Sequence, residues 1–347
     1  MKIRSPHRIL VVRRDNIGDL VCTTPFLRSL RQALPGAHIA ALVNSYNRAV
    51  LDGNTDVNEV FSYEKLKHQS RIGGRVLALY ARMKLIADMR GRRFDLAILA
   101  KPGFDQHGLR MARMAGARRI LGFPPLRGEK ADGLSDFITG NPEGLHEVEA
   151  VALAGKMLGI EQSPGKMRVF PDAGLVEDAR RRLEQCGHGV RWLALHISAR
   201  EKTRRWPLEK FVALIHALAD IPDLGFAIFW SPGSANNPMH PGDDEKAAAL
   251  LQRCSGNKVV AMPTRRLEEL NAGIAACDYF LGSDGGAMHV AAGLDLPIVA
   301  LFENSEFKRT HWYPWQVRHR LLQPQTFAVE DIEEAQVEAA IREIVGG

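Results

Sequence analysis

Short apolar runs alternate with longer amphipathic stretches along the whole chain. In the first half the runs are Arg8-Ile9-Leu10-Val11-Val12, His38–Val43, the shorter Glu59-Val60-Phe61, Asp95–Leu99 and Arg119–Phe123. Each is continuous rather than alternating, as a strand buried on both faces of a parallel sheet requires. Between them apolar positions recur at helical spacing. One helix, entered from the loop Arg13–Asp19, is predicted to run to about Leu34. It has Pro25 near its start, Leu27, Leu30 and Leu34 on one face, and Pro35-Gly36 as its stop. Further helices are predicted from about Ile72 to Met89, from Gln106 to Ala115 and from Glu147 to Leu158, and Gly128–Gly144 reads as a loop.

The second half repeats the alternation. Strands are predicted near Trp192–Ile197, Phe226–Trp230, Lys258–Ala261, Tyr279–Leu281 and Pro297–Phe302, with helices such as Pro207–Ala219 and Asp244–Cys254 between them. The tail Val329–Val345 is amphipathic, with Ile332, Val337, Ala340, Ile341 and Ile344 on one side. Strands alternating with helices imply an α/β protein with doubly wound parallel sheets. A chain of 347 residues is long for one core, so two domains of about 150–170 residues are expected. The Pro- and Gly-containing stretch Glu161–Lys166 is the linker candidate. The predicted domains are therefore 1–163 and 168–328, with a helical segment at 329–347. In such folds ligands sit at the C-terminal ends of the strands, so a cleft between two tandem sheets is the expected site.

Composition narrows the class. Hydrophobic residues at 46% and charged residues at 25% are ordinary for a globular protein, and no apolar run approaches the roughly 18 residues of a membrane span. Met1–Arg8 contains no signal-peptide core, and Cys22, Cys186, Cys254 and Cys277 form no CxxC pair, which together predict a cytoplasmic protein with reduced thiols. The net charge is +6, but it is uneven: between Tyr63 and Lys130 sixteen Lys/Arg stand against five acids. That basic stretch suggests an anionic partner such as lipid headgroups or a phosphorylated glycan. No nucleic-acid motif accompanies it and aromatics are sparse, so nucleic acid is excluded as the partner. For Arg90, Arg92 and Arg93 a solvated helix face accounts for the charge equally well.

Three motifs fall just past predicted strands. Asn16-Ile17-Gly18-Asp19 follows the first strand. Its Asp19 carboxylate reads either as a helix cap or as a general base that takes a proton late, as a nucleophile attacks. His196–Pro207 carries Arg200, Lys202, Arg204 and Arg205 at a strand end, before a helix begun by Pro207, which suits a phosphate clamp anchored by Trp206. Gly282–His289 reads as strand, glycine turn and helix. Asp284 is expected to cap that helix, and Gly285 and Gly286 to bare its first N–H groups for a phosphate. His289, a turn further on, either donates to that phosphate or packs. There is no G-x-G-x-x-G after the first strand and no G-x-x-x-x-G-K-[ST], which counts against a dehydrogenase and a P-loop enzyme. His and Cys spacings offer no zinc site, and Asp243-Asp244 reads as a helix start.

Taken together, Ile17-Gly18-Asp19 with Pro25, Ala115–Phe123, Arg205-Trp206-Pro207 and Asp284–Ala292 make the chain resemble the glycosyltransferase family 9 heptosyltransferases of lipopolysaccharide core assembly. The resemblance implies a GT-B fold, with an N-terminal Rossmann-like acceptor domain, a C-terminal nucleotide-sugar domain and a C-terminal helix crossing back to the first. It implies inverting transfer of a heptose from ADP-heptose to a Kdo/heptose–lipid A acceptor at the inner membrane face, without a metal. It makes Asp19 the base and assigns the sugar donor's phosphates to Ser198, Lys202, Arg204, Arg205, Asp284, Gly285, Gly286 and His289. The acceptor side falls to Arg14, Asn16 and Gly18. The family's usual Lys before Trp-Pro is Arg204 here, its Asp-Ser-Gly is Asp284-Gly285-Gly286, and Glu303–Phe307 replaces a Gly-Pro-Thr-Asp-Pro-like segment. Another nucleotide sugar, an epimerase of the same fold, and a non-catalytic glycolipid-binding protein stand as the alternatives.

Overall fold

The computed structural model describes residues 6–63, 72–125, 132–234, 236 and 242–346. The chain divides into two compact units, 1–165 and 166–347, so the break falls inside Glu161–Lys166. The first unit is built on β1 (Arg8–Val12), β2 (His38–Asn44), β3 (Glu59–Tyr63), β4 (Leu96–Leu99), β5 (Arg119–Gly122) and β6 (Asp136–Phe137). All pair in parallel in the order β3-β2-β1-β4-β5-β6. The helices are α1 (Ile17–Val21), α2 (Thr24–Ala33), α3 (Ile72–Gly91), α4 (Gln106–Met114) and α5 (Glu147–Lys156). The side chains of β1 and β4 are buried on both faces, which is why their sequences read as unbroken apolar runs.

The second unit repeats the plan with β7 (Arg191–His196), β8 (Leu224–Trp230), β9 (Val259–Pro263), β10 (Tyr279–Ser283), β11 (Ile298–Leu301) and β12 (His319–Leu322), in the parallel order β12-β11-β10-β7-β8-β9. Its helices are α6 (Ala173–Glu184), α7 (Leu208–Ala217), α8 (Asp244–Arg253), α9 (Leu267–Ala275), α10 (Gly286–Gly293), α11 (Glu306–Trp312) and α12 (Glu334–Gly346). In each sheet the first and fourth strands are neighbours and the order reverses between them. Chains leaving the C-terminal ends of β1 and β4, or of β7 and β10, therefore diverge and open a crevice. Register fixes this closely: Val12 lies opposite Leu99, and Gly282 opposite His196. A Cβ on Gly282 would sit 2.9 Å from the Phe280 ring and 3.3 Å from the His196 Cβ, so this crossing point needs glycine.

Three differences from the sequence reading have local causes. The helix expected from the first loop to about Leu34 breaks into α1 and α2. Pro25 cannot donate to a continuing helix, and the Thr23 and Thr24 hydroxyls bond back to Asp19 O and Val21 O instead. The Gly128–Gly144 loop contains β6, held to β5 by a bidentate Arg119–Asp136 pair. The edge strand β12 was missed because its sequence, His319-Arg320-Leu321-Leu322, is half polar. The apolar face of α12, which the resemblance directs toward the first domain, lies in the second unit's own core with Trp206, Phe211 and Val329. Of the basic stretch, Lys65, Lys67, Arg71, Arg127 and Lys130 lie outside the described residues, as does Pro241. Among the rest, Arg92 pairs with Glu59 and Lys84 with Asp88, so part of that charge is spent within the fold.

Candidate active site

In the first unit the crevice is lined by the segment after β1. Arg13 directly follows the strand and its side chain is 2% exposed. One terminal nitrogen donates to Ala100 O at 2.7 Å; the other is shared between Asp19 Oδ1 at 2.7 Å and Glu147 Oε1 at 2.5 Å. Its Nε lies 3.4 Å from Asp15 Oδ2. One cation therefore stands among three carboxylates. Burial opposes its charge, but Glu147, Asp19 and Asp15 together hold Arg13 above the ordinary arginine range. Burial lifts Asp15 above the usual carboxylate range, against the pull of Arg13.

Asp19 is the third residue of α1, not its cap. Asn16 holds the cap position, and the Asn16 N–H donates to Asp19 Oδ2 at 2.9 Å. Both Asp19 oxygens are thus engaged, yet the carboxylate keeps 14% of its surface exposed. The helix-end bond fixes the rotamer of a carboxylate that still reaches solvent. The loop is tied to β2 by Asn44 Nδ2, which donates to Arg14 O and Asp15 O at 2.8 Å, and by Asn47 Nδ2 to Asn16 O at 3.3 Å. Arg14 donates to Tyr63 Oη at 3.0 Å and lies 3.7 Å from Asp105, which caps α4 through Gly108 N–H. Gly18 is buried in α1, so it serves the turn rather than presenting a surface.

In the second unit the expected phosphate clamp divides in two. Arg200 and Lys202 are exposed, and the Lys202 side chain makes no hydrogen bond or ion pair among the described residues. Arg204 is spent on structure: its guanidinium donates to Asp284 O at 3.1 Å, lies 3.3 Å from Asp284 Oδ2 and donates to Glu303 Oε2 at 3.2 Å. Arg205 Nε donates to Ala199 O at 3.0 Å, and Ser198 Oγ accepts from Ser231 N–H at 3.0 Å. Asp284 does not cap α10 as expected. Gly285 holds that position, and the Asp284 carboxylate faces Arg204 instead. Gly285 is extended rather than strained, and a Cβ there would meet only Ser283 O at 3.7 Å. The glycine therefore keeps the helix start unobstructed. His289 is buried within α10, edge-on to Trp312 at 5.7 Å.

Two groups escaped the sequence reading. Glu303, after β11, is 3% exposed and accepts from Thr203, Arg204 and Lys308. It is the anchor that seats the 202–204 turn against β10 and β11. Its only sequence signal was that Glu303–Phe307 departs from the family's usual segment. Lys246, from α8, donates to Ile197 O at 3.1 Å and Trp206 O at 2.8 Å, clasping both ends of the cationic loop. Burial pushes its amine down to about 8, with Arg205 adding to the effect. Burial likewise pushes His196 down to about 4. Trp206 is buried and edge-on to Phe211, with its indole N–H on Ile332 O at 3.0 Å, the anchoring expected of it. Beside this loop, at the ends of β8 and β9, lies a cavity of about 330 Å³ lined by Ser231, Pro232, Gly233, Asp244, Thr264 and Arg265. Asp244 starts α8, as expected, and accepts from Trp230 Nε1 and Gly233 N–H.

A family model described as glycosyltransferase family 9 (heptosyltransferase) matches residues 82–340. The chain is 24% identical over 303 residues to lipopolysaccharide heptosyltransferase 3 of Escherichia coli, a match covering 86% of this chain and 83% of that protein. A glycosyl transferase family 9 structure from Veillonella parvula DSM 2008 superposes with a TM-score of 0.84 at 19% identity, covering 99% of this chain and 98% of that one. The E. coli ADP-heptose lps heptosyltransferase II superposes with a TM-score of 0.74 at 22% identity, covering 97% and 98%. The fold expectation holds: two doubly wound parallel sheets of the GT-B kind.

Proposed function

Because the chain belongs to glycosyltransferase family 9 and is a glycosyltransferase, we propose that it moves a heptose from ADP-heptose to a hydroxyl of a lipopolysaccharide inner-core acceptor, with Asp19 as general base. The observation that carries this reading is the Asp19 carboxylate itself. It accepts from Arg13 and from Asn16 N–H at the switch point of the first sheet, and it remains open to solvent. As the acceptor oxygen bonds to the anomeric carbon, its proton passes to Asp19. The bond from that carbon to the diphosphate oxygen breaks, its electron pair leaves with ADP, and the carbon inverts. Proton transfer late in attack suits a weak carboxylate base.

The leaving diphosphate gathers negative charge in the transition state, so fixed positive groups lower the barrier there. Lys202, with its ammonium uncommitted, and Arg205 are the cations assigned to it, together with the N–H groups at the start of α10. Arg204 holds the loop rather than the ligand, and the cavity beside Asp244 takes the nucleoside. Arg14 and Asn16 are assigned to the acceptor. Among the described residues no helix is long and apolar enough to cross a membrane, and the reading places the protein peripherally against its anionic glycolipid.

The test is product analysis with ADP-heptose and deacylated inner-core lipopolysaccharide. The expected result is release of ADP with an acceptor heavier by one heptose. ADP release without a heavier acceptor, or transfer from a UDP- or GDP-sugar in preference, would overturn the assignment.

A further inference from the structure

We propose that Glu147 is a positioning residue for proton transfer, acting on Asp19 through their shared partner Arg13. This rests on the heptosyl-transfer reading above. A single terminal nitrogen of Arg13 bridges Asp19 Oδ1 at 2.7 Å and Glu147 Oε1 at 2.5 Å. The guanidinium is buried. Of the three carboxylates around it, Asp15 is 21% exposed, Asp19 14% and Glu147 3%. Asp19 can meet a substrate hydroxyl; Glu147 is sealed from one. Glu147 opens α5, where the positive end of the helix dipole favours its charge.

Charge balance gives this arrangement its purpose. Before reaction the cluster holds one cation and three carboxylates. When the acceptor O–H breaks, Asp19 takes the proton and becomes neutral, and the proton later passes to solvent as ADP and the glycosylated product depart. Were Asp19 the only anion beside Arg13, that step would strip a buried guanidinium of its partner, which is costly. With Glu147 at 2.5 Å, Arg13 stays paired throughout, so Asp19 can gain and lose a proton without the cluster rearranging. Glu147 also competes with Asp19 for the same Arg13 nitrogen. The other charged and titratable groups on the surrounding elements are Arg14 and Asp15 on the same loop, Lys101 and Asp105 after β4, and His146 and Glu149 at the start of α5.

The experiment is steady-state kinetics of the full chain and of Glu147→Gln against pH, with ADP-heptose and deacylated inner-core lipopolysaccharide. Neutralising Glu147 leaves Asp19 as the one carboxylate on the Arg13 terminal nitrogen, with Asp15 further off at 3.4 Å from Nε, which makes Asp19 harder to protonate and a poorer base. The expected result is a fall in kcat of about tenfold, an unchanged KM for ADP-heptose, and an acid limb of kcat moved about one unit toward lower pH. Glu147→Asp, which keeps the charge but shortens its reach, should show a smaller shift in the same direction and stands in if Glu147→Gln does not fold. A wild-type kcat, or a reduced kcat with the acid limb unmoved, would overturn the proposal and leave Glu147 a structural residue. Failure of the transfer reading looks different: the wild-type chain itself then makes no heptosylated product, and this inference goes with it.

Discussion

The two sheets share one strand order, yet the charge at their switch points is opposite. After β1 a single buried cation, Arg13, serves three carboxylates. After β7 and β10 the cations prevail: Arg200, Lys202, Arg204, Arg205 and Lys308 against Glu201, Asp284 and Glu303. Topology supplies a crevice in both cases, because adjacent strands send their chains in opposite directions. The residues that fill the crevice decide its use. An anionic crevice suits removal of a proton, whereas a cationic one suits a departing diphosphate. A further contrast concerns rigidity. Arg13 and Arg14 of the first site are both paired, whereas the second pairs Arg204 and leaves the Lys202 ammonium uncommitted among the described residues.

Neutralising the anionic site carries the largest expected effect. Asp19→Asn should lower kcat about 10³-fold while leaving the thermal shift produced by ADP unchanged. Loss of the ADP shift in that variant would break the assignment of the two sites to separate roles. The next effect belongs to the anchor of the cationic site. Glu303→Ala leaves Arg204 and Lys308 facing a buried gap and should cost about 3 kcal/mol. All five tryptophans lie in the second unit, so denaturant unfolding followed by tryptophan fluorescence reads that loss in the unit concerned.

Removing the uncommitted cation should be milder. Lys202→Ala is expected to weaken ADP binding about twentyfold by titration calorimetry, the worth of one charge-assisted bond, without moving the unfolding midpoint. A shifted midpoint would mean that Lys202 holds the loop as Arg204 does. The smallest effect is a pH slope. His196 is held neutral by burial, down to about 4 against an ordinary value of 6.5, so the unfolded chain binds the extra proton between those values. The second unit is therefore expected to keep its full stability from this source above about pH 6.5. It should lose at most about 1.4 kcal/mol per pH unit on the way down to 4. His196→Gln should flatten that slope in the same fluorescence assay.

Apolar continuity marked nearly every central strand in advance, because a strand buried on both faces has no room for polar residues. The same logic missed β12, whose edge position tolerates polar side chains, and ran α1 and α2 together, because periodicity does not see a hydroxyl bonding back to the backbone at a proline. The three motifs were legible because glycine, proline and clustered charge are local signals. They could not say which charges were free. Asp284 and Arg204, both expected at the ligand from the sequence, pair with each other in this structure.

What the sequence determined by itself, then, was two doubly wound sheets, their division near residue 165, and the placing of Asp19 and the cationic loop just after strands. Tertiary structure alone decided the partnerships: Arg13 with Glu147 across 134 positions, Arg204 with Glu303 across 99, and Trp206 with Ile332 across 126. The reason is physical. Secondary structure follows from the side-chain period along a few residues, whereas a buried charge must be neutralised by whatever chain segment the fold carries to it, and nothing in local sequence records which segment that is.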